Sequence, residues 1–566
     1  LKGTEGIIRA LLANKAKNVF GFPGGQVIPL YDELLNFEKE LRHILVRHEQ
    51  CAAHAADAYA RASGEAGVCL ATSGPGATNL VTGIMTAYMD SIPLIAIAGN
   101  VPTSLLGNDA FQETDMVGIT TPITKHNFQI RSANDIDSTI NKAFTIAQNG
   151  RPGPVFVDIP KDVQVNEITN KKSTEAINGF NPVMHGHPEQ IKKAAEMILD
   201  AQRPVIIAGG GVIISSSSKE LERIAIAFNL PVTTTFMGKS CFDENHPLSL
   251  GMLGMHGRKV ANYAVANSDV IIAIGCRFSD RITGDAKSFA TDSKIIHIDI
   301  DSAEIGKNVR ADIPIVGDAK NILTELYSVM SKIAAKKKTN WNEKIKKFNR
   351  ECICSFDVSN YPIDPRKIIH ELNKTLKETD IVTTGTGQHQ MFAAHFLKRS
   401  RPRTFISSGG AGTMGFGFPA AIGAKIAMPD SEVINIDGDG SFAMVLQELA
   451  TCKEEQIKVI PTIFNNSYLG MVRQWQELFF DKRYSGVKLK RTPDFAKLAD
   501  SYHLKGITVD RESEIQKALK EAFKNDETTV IDILVREESN ILPMFSAGSR
   551  HTDMFGGCIQ NKGELF

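Results

Sequence analysis

Val433-Ile-Asn-Ile-Asp437-Gly438-Asp439-Gly440-Ser441 is a short apolar run that ends on two acids spaced by glycine. Val459-Ile-Pro-Thr-Ile-Phe464-Asn465-Asn466 repeats the plan and ends on an asparagine pair. Apolar runs of this length, stopped by turn residues, read as strands buried on both faces, which a parallel sheet covered by helices requires. Ligands of such sheets bind at the carboxyl ends of the strands. Asp439 offers a hard carboxylate oxygen there and Asn466 an amide oxygen, both suited to Mg²⁺. Gly438 and Gly440 let phosphate oxygens approach the backbone. Asp-Gly and Asn-Asn are also ordinary turn residues. Their coincidence at two strand ends argues for a metal and diphosphate site.

Outward from this pair the same alternation of strand and helix continues. Asp380–Thr384, Thr404–Ser407 and Thr529–Val535 read as further strands of the block. Upstream, Val205–Ala208, Pro231–Thr235, Val270–Ile274 and Lys294–Ile298 make a second block. Asn18–Phe22, His43–Val46, Gly67–Ala71, Pro93–Ala98 and Pro154–Ile159 make a first, with helices predicted at Ile28–Leu35, Cys51–Ala62 and Asn79–Asp90. The fold class is α/β, with three doubly wound parallel-sheet domains at 1–165, 187–334 and 365–540, which suits 566 residues. Polar linkers are expected at 166–186 and 335–364, and a tail at 541–566. Blocks one and three share a pattern but no residue-level repeat.

Lys+Arg and Asp+Glu both number 64, which argues against a nucleic-acid binder. The Lys336–Lys338 run and Lys344-x-Lys-Lys then read as solvated surface. The longest apolar stretches, Pro93–Gly99 and Val270–Gly275, are too short to span a membrane. The start carries no signal-peptide pattern. The eight cysteines, at 51, 69, 241, 276, 352, 354, 452 and 558, match no zinc spacing. A cytoplasmic protein with free thiols is expected.

Gly410-Ala-Gly412-Thr-Met-Gly415 satisfies the dinucleotide pattern G-x-G-x-x-G, after a predicted strand, with Asp437 at the next strand end. A nicotinamide site has no need of the metal pair downstream, so the diphosphate reading is preferred. Glu49, between a strand and an Ala-rich helix, reads on its own as an acid at a helix N-terminus. In the second block, Gly209, Gly210 and Gly275 with Asp299 suit an extended dinucleotide, each a weak signal alone.

Longer stretches carry more. They include GFPGG (21–25), RHEQCAAHAADAYAR (47–61), TSGPGATNLVTGI (72–84), DAFQE (109–113), TKHNF (124–128), GRPGPV (150–155) and DIPKDVQ (158–164). They continue with GMHG (254–257), GQHQMF (387–392), SSGGAGTMGFG (407–417), DGDGSF (437–442) and NNSYLGMVRQWQELF (465–479). Over nearly its whole length the sequence resembles the acetohydroxyacid synthase (acetolactate synthase) catalytic subunits, a family of thiamine-diphosphate (ThDP) enzymes. The resemblance implies pyrimidine-binding, central FAD-binding-type and diphosphate-binding domains, in that order. It implies decarboxylation of pyruvate and transfer of the hydroxyethyl carbanion to a second 2-oxoacid, pyruvate or 2-oxobutanoate. The products are 2-acetolactate or 2-aceto-2-hydroxybutanoate, in branched-chain amino-acid biosynthesis.

Carried onto this sequence, the resemblance makes Glu49 the acid that activates ThDP. Gly25, Phe111 and Gln112 line the reaction centre, with Gln112 an oxyanion donor. Lys161 and Arg281 flank the substrate entrance, Arg281 pairing with the 2-oxoacid carboxylate. Trp475 walls the acceptor pocket. Thr386, Gly387, Gln388, His389, Gly412, Met414, Gly438, Gly440, Ser441, Tyr468 and Met471 contact ThDP. Asp439, Asn466 and a backbone oxygen of Tyr468 hold Mg²⁺. Arg151, Gly209, Gly210, Met255, His256, Gly275, Arg277, Asp299 and Asp318 surround a structural FAD. The family's usual RFDDR stands here as Arg277-Phe-Ser279-Asp-Arg281. A homodimer or homotetramer is implied, with Glu49 of one subunit facing the diphosphate site of another, and a small regulatory subunit is usual. The rival readings are a FAD-using pyruvate oxidase, a simple 2-oxoacid decarboxylase, a nicotinamide dehydrogenase and a catalytically silent paralogue.

Overall fold

Among the described residues, eighteen strands, the inner ones rich in Val, Ile, Leu and Ala, form three six-stranded sheets in which every strand pairing is parallel. The computed structural model describes residues 1–170, 177, 179–333, 339–351 and 361–556. Cys352, Cys354, Cys558 and the Lys336–Lys338 run lie outside the described residues. The first sheet holds β1 (Asn18–Gly21), β2 (Arg42–Leu45), β3 (Gly67–Ala71), β4 (Leu94–Asn100), β5 (His126–Gln129) and β6 (Val155–Pro160). The second holds β7 (Pro204–Ala208), β8 (Val232–Thr234), β9 (Ser249–Met252), β10 (Val270–Ile274), β11 (Lys294–Asp299) and β12 (Ile313–Val316). The third holds β13 (Ile381–Thr384), β14 (Phe405–Ser407), β15 (Val433–Gly438), β16 (Ile460–Asn465), β17 (Lys505–Val509) and β18 (Thr529–Leu534).

Sheets one and three share one topology. Their orders, β2-β1-β3-β4-β6-β5 and β14-β13-β15-β16-β18-β17, correspond strand for strand. The middle sheet runs β12-β11-β10-β7-β8-β9, the order of dinucleotide-binding folds. Such sheets have a switch point, where successive connections leave in opposite directions and open a crevice. It falls between β1 and β3, between β7 and β10, and between β13 and β15.

The first and third domains share one apolar core. Its centre is the contact between helices Glu49–Ser63 and Gly417–Ala427. Alanine dominates both because it is the best helix former and lets backbones come close. His48 caps the first helix by accepting the Gln50 N–H, and Gly64 ends it in the left-handed region at φ 83°. A Cβ added at Gly423 would stand 1.9 Å from the Ala55 carbonyl oxygen. Gly423→Ala must therefore push the helices apart and should cost about 1–3 kcal/mol. Thermal unfolding checks this, and an unchanged midpoint would show that the helices part freely.

The expected strands all form, with ends shifted by a residue or two. The helix expected at Asn79–Asp90 is two, Pro75–Thr78 and Val81–Asp90, and the one expected from Cys51 begins at Glu49. The glycine motif 410–415 does not open a helix. It lies in a loop, and the next helix starts at Gly417. Of the stretch 166–186, the start is tied down by an Ile168 N–H bond to the Leu1 carbonyl, while 171–176 and 178 lie outside the described residues. Within 335–364, helix Trp341–Glu351 buries Trp341 and Ile345 against the middle domain and exposes Lys344, Lys346 and Lys347. The described cysteines 51, 69, 241, 276 and 452 are free and buried. No described helix is long and apolar enough to cross a membrane.

Candidate active site

At the switch point of the third sheet, β13 runs into Gly385-Thr386-Gly387 and β15 into the single-turn helix Asp439–Phe442. Asp437 is fully buried. Its carboxylate accepts from Asn435 Nδ2 at 3.0 Å and from the Gly438 N–H at 3.1 Å, and burial raises its pKa to about 6. It shapes the turn and cannot reach a ribose, which removes the acid that the nicotinamide reading needs. Gly385 must be glycine, since a Cβ there would stand 1.8 Å from Asp437 Oδ1. Ser441 Oγ accepts the Gly415 N–H at 3.0 Å and so draws the 408–416 loop over the turn.

Asp439 is 1 % exposed, and its Oδ2 has no hydrogen-bond partner among the described residues. Burial pushes its carboxyl up to about 7. A buried unpartnered carboxylate oxygen is costly, and a bound cation relieves the cost. Asn466 Oδ1 accepts the Tyr468 N–H at 3.0 Å, which turns the 466–468 backbone toward the same space. Among the described residues no three His, Cys, Asp or Glu side chains gather to hold a metal. The donor set fits a hard cation that completes its shell with carbonyl and phosphate oxygens. His389 is buried and neutral, its pKa lowered by desolvation to about 3; its Nε2 lies 3.6 Å from Asp437 Oδ1 and has no hydrogen-bond partner among the described residues.

One cavity is lined by Thr386, Gly387, Gln388, His389, Met414, Gly438, Asp439, Gly440, Ser441, Asn466, Tyr468 and Met471. These are the residues predicted for ThDP and metal, except Glu49 and Gly412. Gly412, left-handed at φ 59°, lines the adjoining cleft instead.

That cleft, about 1090 Å³, opens from the switch point of the middle sheet and shares Thr386, Gly387, Met414, Met471 and Val472 with the first cavity. Arg151, Gly210, Met255, His256, Gly275, Arg277, Asp299, Asp318, Arg281 and Trp475 all line it. Gly209 does not. A Cβ there would stand 2.0 Å from the Gly275 carbonyl, so it serves the close approach of the two strand ends. Arg151 donates to Ser91 Oγ at 2.8 Å and to Glu304 at 2.7 Å, tying the first domain to the middle one. Burial raises the Asp299 pKa to about 6 and lowers that of His256 to about 3. Asp318 also caps helix Ala319–Ile333 by accepting the Lys320 and Asn321 N–H groups. Arg281 is mostly exposed, with its guanidinium 3.4 Å from Met255 Sδ.

The remaining predicted residues gather elsewhere, at the switch point of the first sheet. Glu49 opens its helix, 8 % exposed, and Oε2 accepts from Asn79 Nδ2 at 2.9 Å. Lys161 Nζ donates to the Gly25 carbonyl at 3.0 Å, and Gln26 N–H to Thr72 Oγ1 at 3.2 Å. Gln112, left-handed at φ 60°, lies against Gly74, and Phe111 beside it is 84 % exposed. None of Gly25, Glu49, Phe111, Gln112 or Lys161 lines either cavity. Within one chain, Lys161 and Arg281 therefore do not share an entrance, nor does Glu49 face Asp439.

Some partners escaped the sequence reading. Gln474 Nε2 donates to the Ile541 carbonyl at 3.0 Å and Oε1 accepts the Ile541 N–H at 2.9 Å, while Gln388 Nε2 bonds Gln474 Oε1 at 2.8 Å. This holds segment 541–556 against helix Gly470–Phe479, with Trp475 and Leu478 packed on Met255, Met544, Phe545 and Met554. Asp57 and Asp90 flank the buried Arg61 at 2.5 and 3.0 Å, and Asp90 accepts the Gly409 and Gly410 N–H groups. The spacing of Asp57 and Arg61 on one helix face was a usable signal. Nothing local marked Asp90.

Three thiamine pyrophosphate enzyme family models match the chain: the N-terminal TPP binding domain over 1–119, the central domain over 191–326 and the C-terminal TPP binding domain over 385–533. A probable acetolactate synthase large subunit of Methanocaldococcus jannaschii is 55% identical, over 98% of this chain and 95% of its own. One of Methanococcus aeolicus is 51% identical over 100% and 97%. The acetolactate synthase large subunit of Cyanidium caldarium is 45% identical over 98% and 96%.

Proposed function

This chain belongs to the thiamine pyrophosphate enzymes, among their acetolactate synthase large subunits, and from that premise we propose how its residues divide the work. The reaction decarboxylates pyruvate and joins the two-carbon unit to a second 2-oxoacid, pyruvate or 2-oxobutanoate. The observation that carries this reading is the buried Asp439 Oδ2, without a hydrogen-bond partner among the described residues, in the turn between Gly438 and Gly440. Thiamine diphosphate, when bound, supplies the electron sink for loss of CO₂. Asp439, Asn466 and the Tyr468 carbonyl would hold Mg²⁺, and the turns Thr386–His389 and Gly440–Ser441 would orient the diphosphate. Met414 and Met471 shape the wall toward the larger cleft.

Glu49 holds and moves the proton at a pyrimidine ring nitrogen. It cannot do so within its own chain, so a second copy brings the Glu49 cluster to the Asp439 cavity. The exposed Phe111 beside Gln112, and the exposed Val472 at the cavity mouth, support burial against such a copy. Gln112 then donates to the developing oxyanion. Lys161 of one copy and Arg281 of the other receive the 2-oxoacid carboxylate, and Trp475 bounds the acceptor. The cleft at the middle switch point suits FAD, with Arg151 and Arg277 toward its phosphates and Asp299 toward a ribose. Acyl transfer moves no net electrons, so the flavin is structural. The large-subunit names of the relatives support a small regulatory partner, and the reading places the enzyme in the cytoplasm.

The wall shared by the two cavities favours one second reading, an oxidase in which flavin takes electrons from the reaction centre. Product analysis with pyruvate, Mg²⁺, ThDP and FAD, with and without oxygen, decides between them. We expect acetolactate at the same rate in both. Acetate that tracks oxygen uptake would establish the oxidase instead.

A further inference from the structure

Beside Asp439, the cavity wall contains one side chain of opposite charge, Arg536. Its position is fixed by backbone. β18 ends at Leu534, the next N–H, of Val535, bonds the Asn465 carbonyl at 2.9 Å, and the Arg536 N–H bonds the Ile363 carbonyl at 2.9 Å. Arg536 is thus presented beside the asparagine pair. It is half-buried, and its guanidinium makes no hydrogen bond or ion pair with any described residue. The acids nearby are taken: Glu537 pairs with Lys488 at 3.5 Å and Asp364 with Arg366 at 2.8 Å.

The charge balance of the loaded site needs such a group. A magnesium diphosphate ester keeps an excess negative charge, and Asp439 adds another. His389 contributes nothing, because burial keeps it neutral. Excess charge in a partly buried cavity is costly unless a cation offsets it. A guanidinium fork suits phosphate oxygens better than an ammonium does.

We propose that Arg536 is a diphosphate-binding residue, which neutralises and orients the outer phosphate of the cofactor. This rests on the reading of the cavity as the metal–diphosphate site. It adds to the glycine turn and metal pair a ligand that no sequence motif marks.

The test is calorimetric titration of the full-length protein with ThDP, thiamine monophosphate and unphosphorylated thiamine at fixed Mg²⁺. Arg536→Gln should weaken ThDP about 10–100-fold and leave thiamine nearly unchanged. Arg536→Lys should fall between parent and Gln, and serves alone if the Gln variant does not fold. The salt dependence of ThDP affinity should be shallower in Arg536→Gln than in the parent. A parent that binds and an Arg536→Gln that binds ThDP equally well would overturn the assignment alone. Equal losses for thiamine and ThDP would also overturn it, because the residue would then act on the cavity's shape. A parent that binds no ThDP with Mg²⁺ would overturn the reading of the cavity and this inference with it.

Discussion

Replacing Glu49 with glutamine should lower turnover by about 10²–10⁴-fold, the range that a positioned proton donor and acceptor contributes. The substitution is nearly isosteric. Glu49 Oε2 accepts from Asn79 Nδ2 at 2.9 Å, and a glutamine oxygen can accept the same bond. The helix behind it is capped by His48 and embedded in the shared core, and neither feature depends on the carboxylate. Folding and Mg²⁺-dependent cofactor binding should therefore survive while the proton relay is lost. Stopped-flow turnover and proton–deuterium exchange at C2 of the bound cofactor measure the two sides of the effect. If exchange and turnover both stay at the parent level, Glu49 is only the acid of a helix N-terminus.

The parts of the fold that were legible in the sequence, and the parts that were not, separate by burial. β3, β4, β7, β10, β15 and β16 are inner strands, buried along their whole length, so their sequences are dominated by apolar residues with few polar interruptions. The four strands with no such signal are β5, β9, β12 and β17, four of the six edge strands; the other two edges, β2 and β14, were legible. One side of an edge strand is only partly covered, so Lys505–Val509 buries only Val509 fully and reads as loop. Diphosphate and metal candidates were legible for the opposite reason. They sit on short motifs at consecutive strand ends, so local order is spatial order. Gln474, Asp90 and Arg536 act on groups far along the chain or in no motif at all. The role of Glu49 is split differently again: its pattern was visible, but its counterpart belongs to another copy.

Asp439→Ala should abolish Mg²⁺-dependent ThDP binding, with a loss of about 10²–10³-fold or more, since removing one partner of a buried charge pair costs about 3–5 kcal/mol. Asp439→Asn separates this from damage to the fold. It keeps the shape of the carboxylate and one side-chain oxygen in the turn between Gly438 and Gly440. It removes the charge that burial disfavours. The metal-free Asn variant should unfold no earlier than the parent, yet bind cofactor poorly. Retained affinity in both variants would sink the metal assignment. The same substitution also tests the pairing of copies. Asp439→Ala and Glu49→Gln are each inactive as pure assemblies. When their subunits reassort, each mixed dimer holds one centre with Glu49 intact on one side and Asp439 intact on the other. About a quarter of full activity should then return on random mixing. A mixture that stays inactive although its subunits exchange would mean that each chain completes its own centre. The distribution of the predicted residues over two separate switch points argues against that.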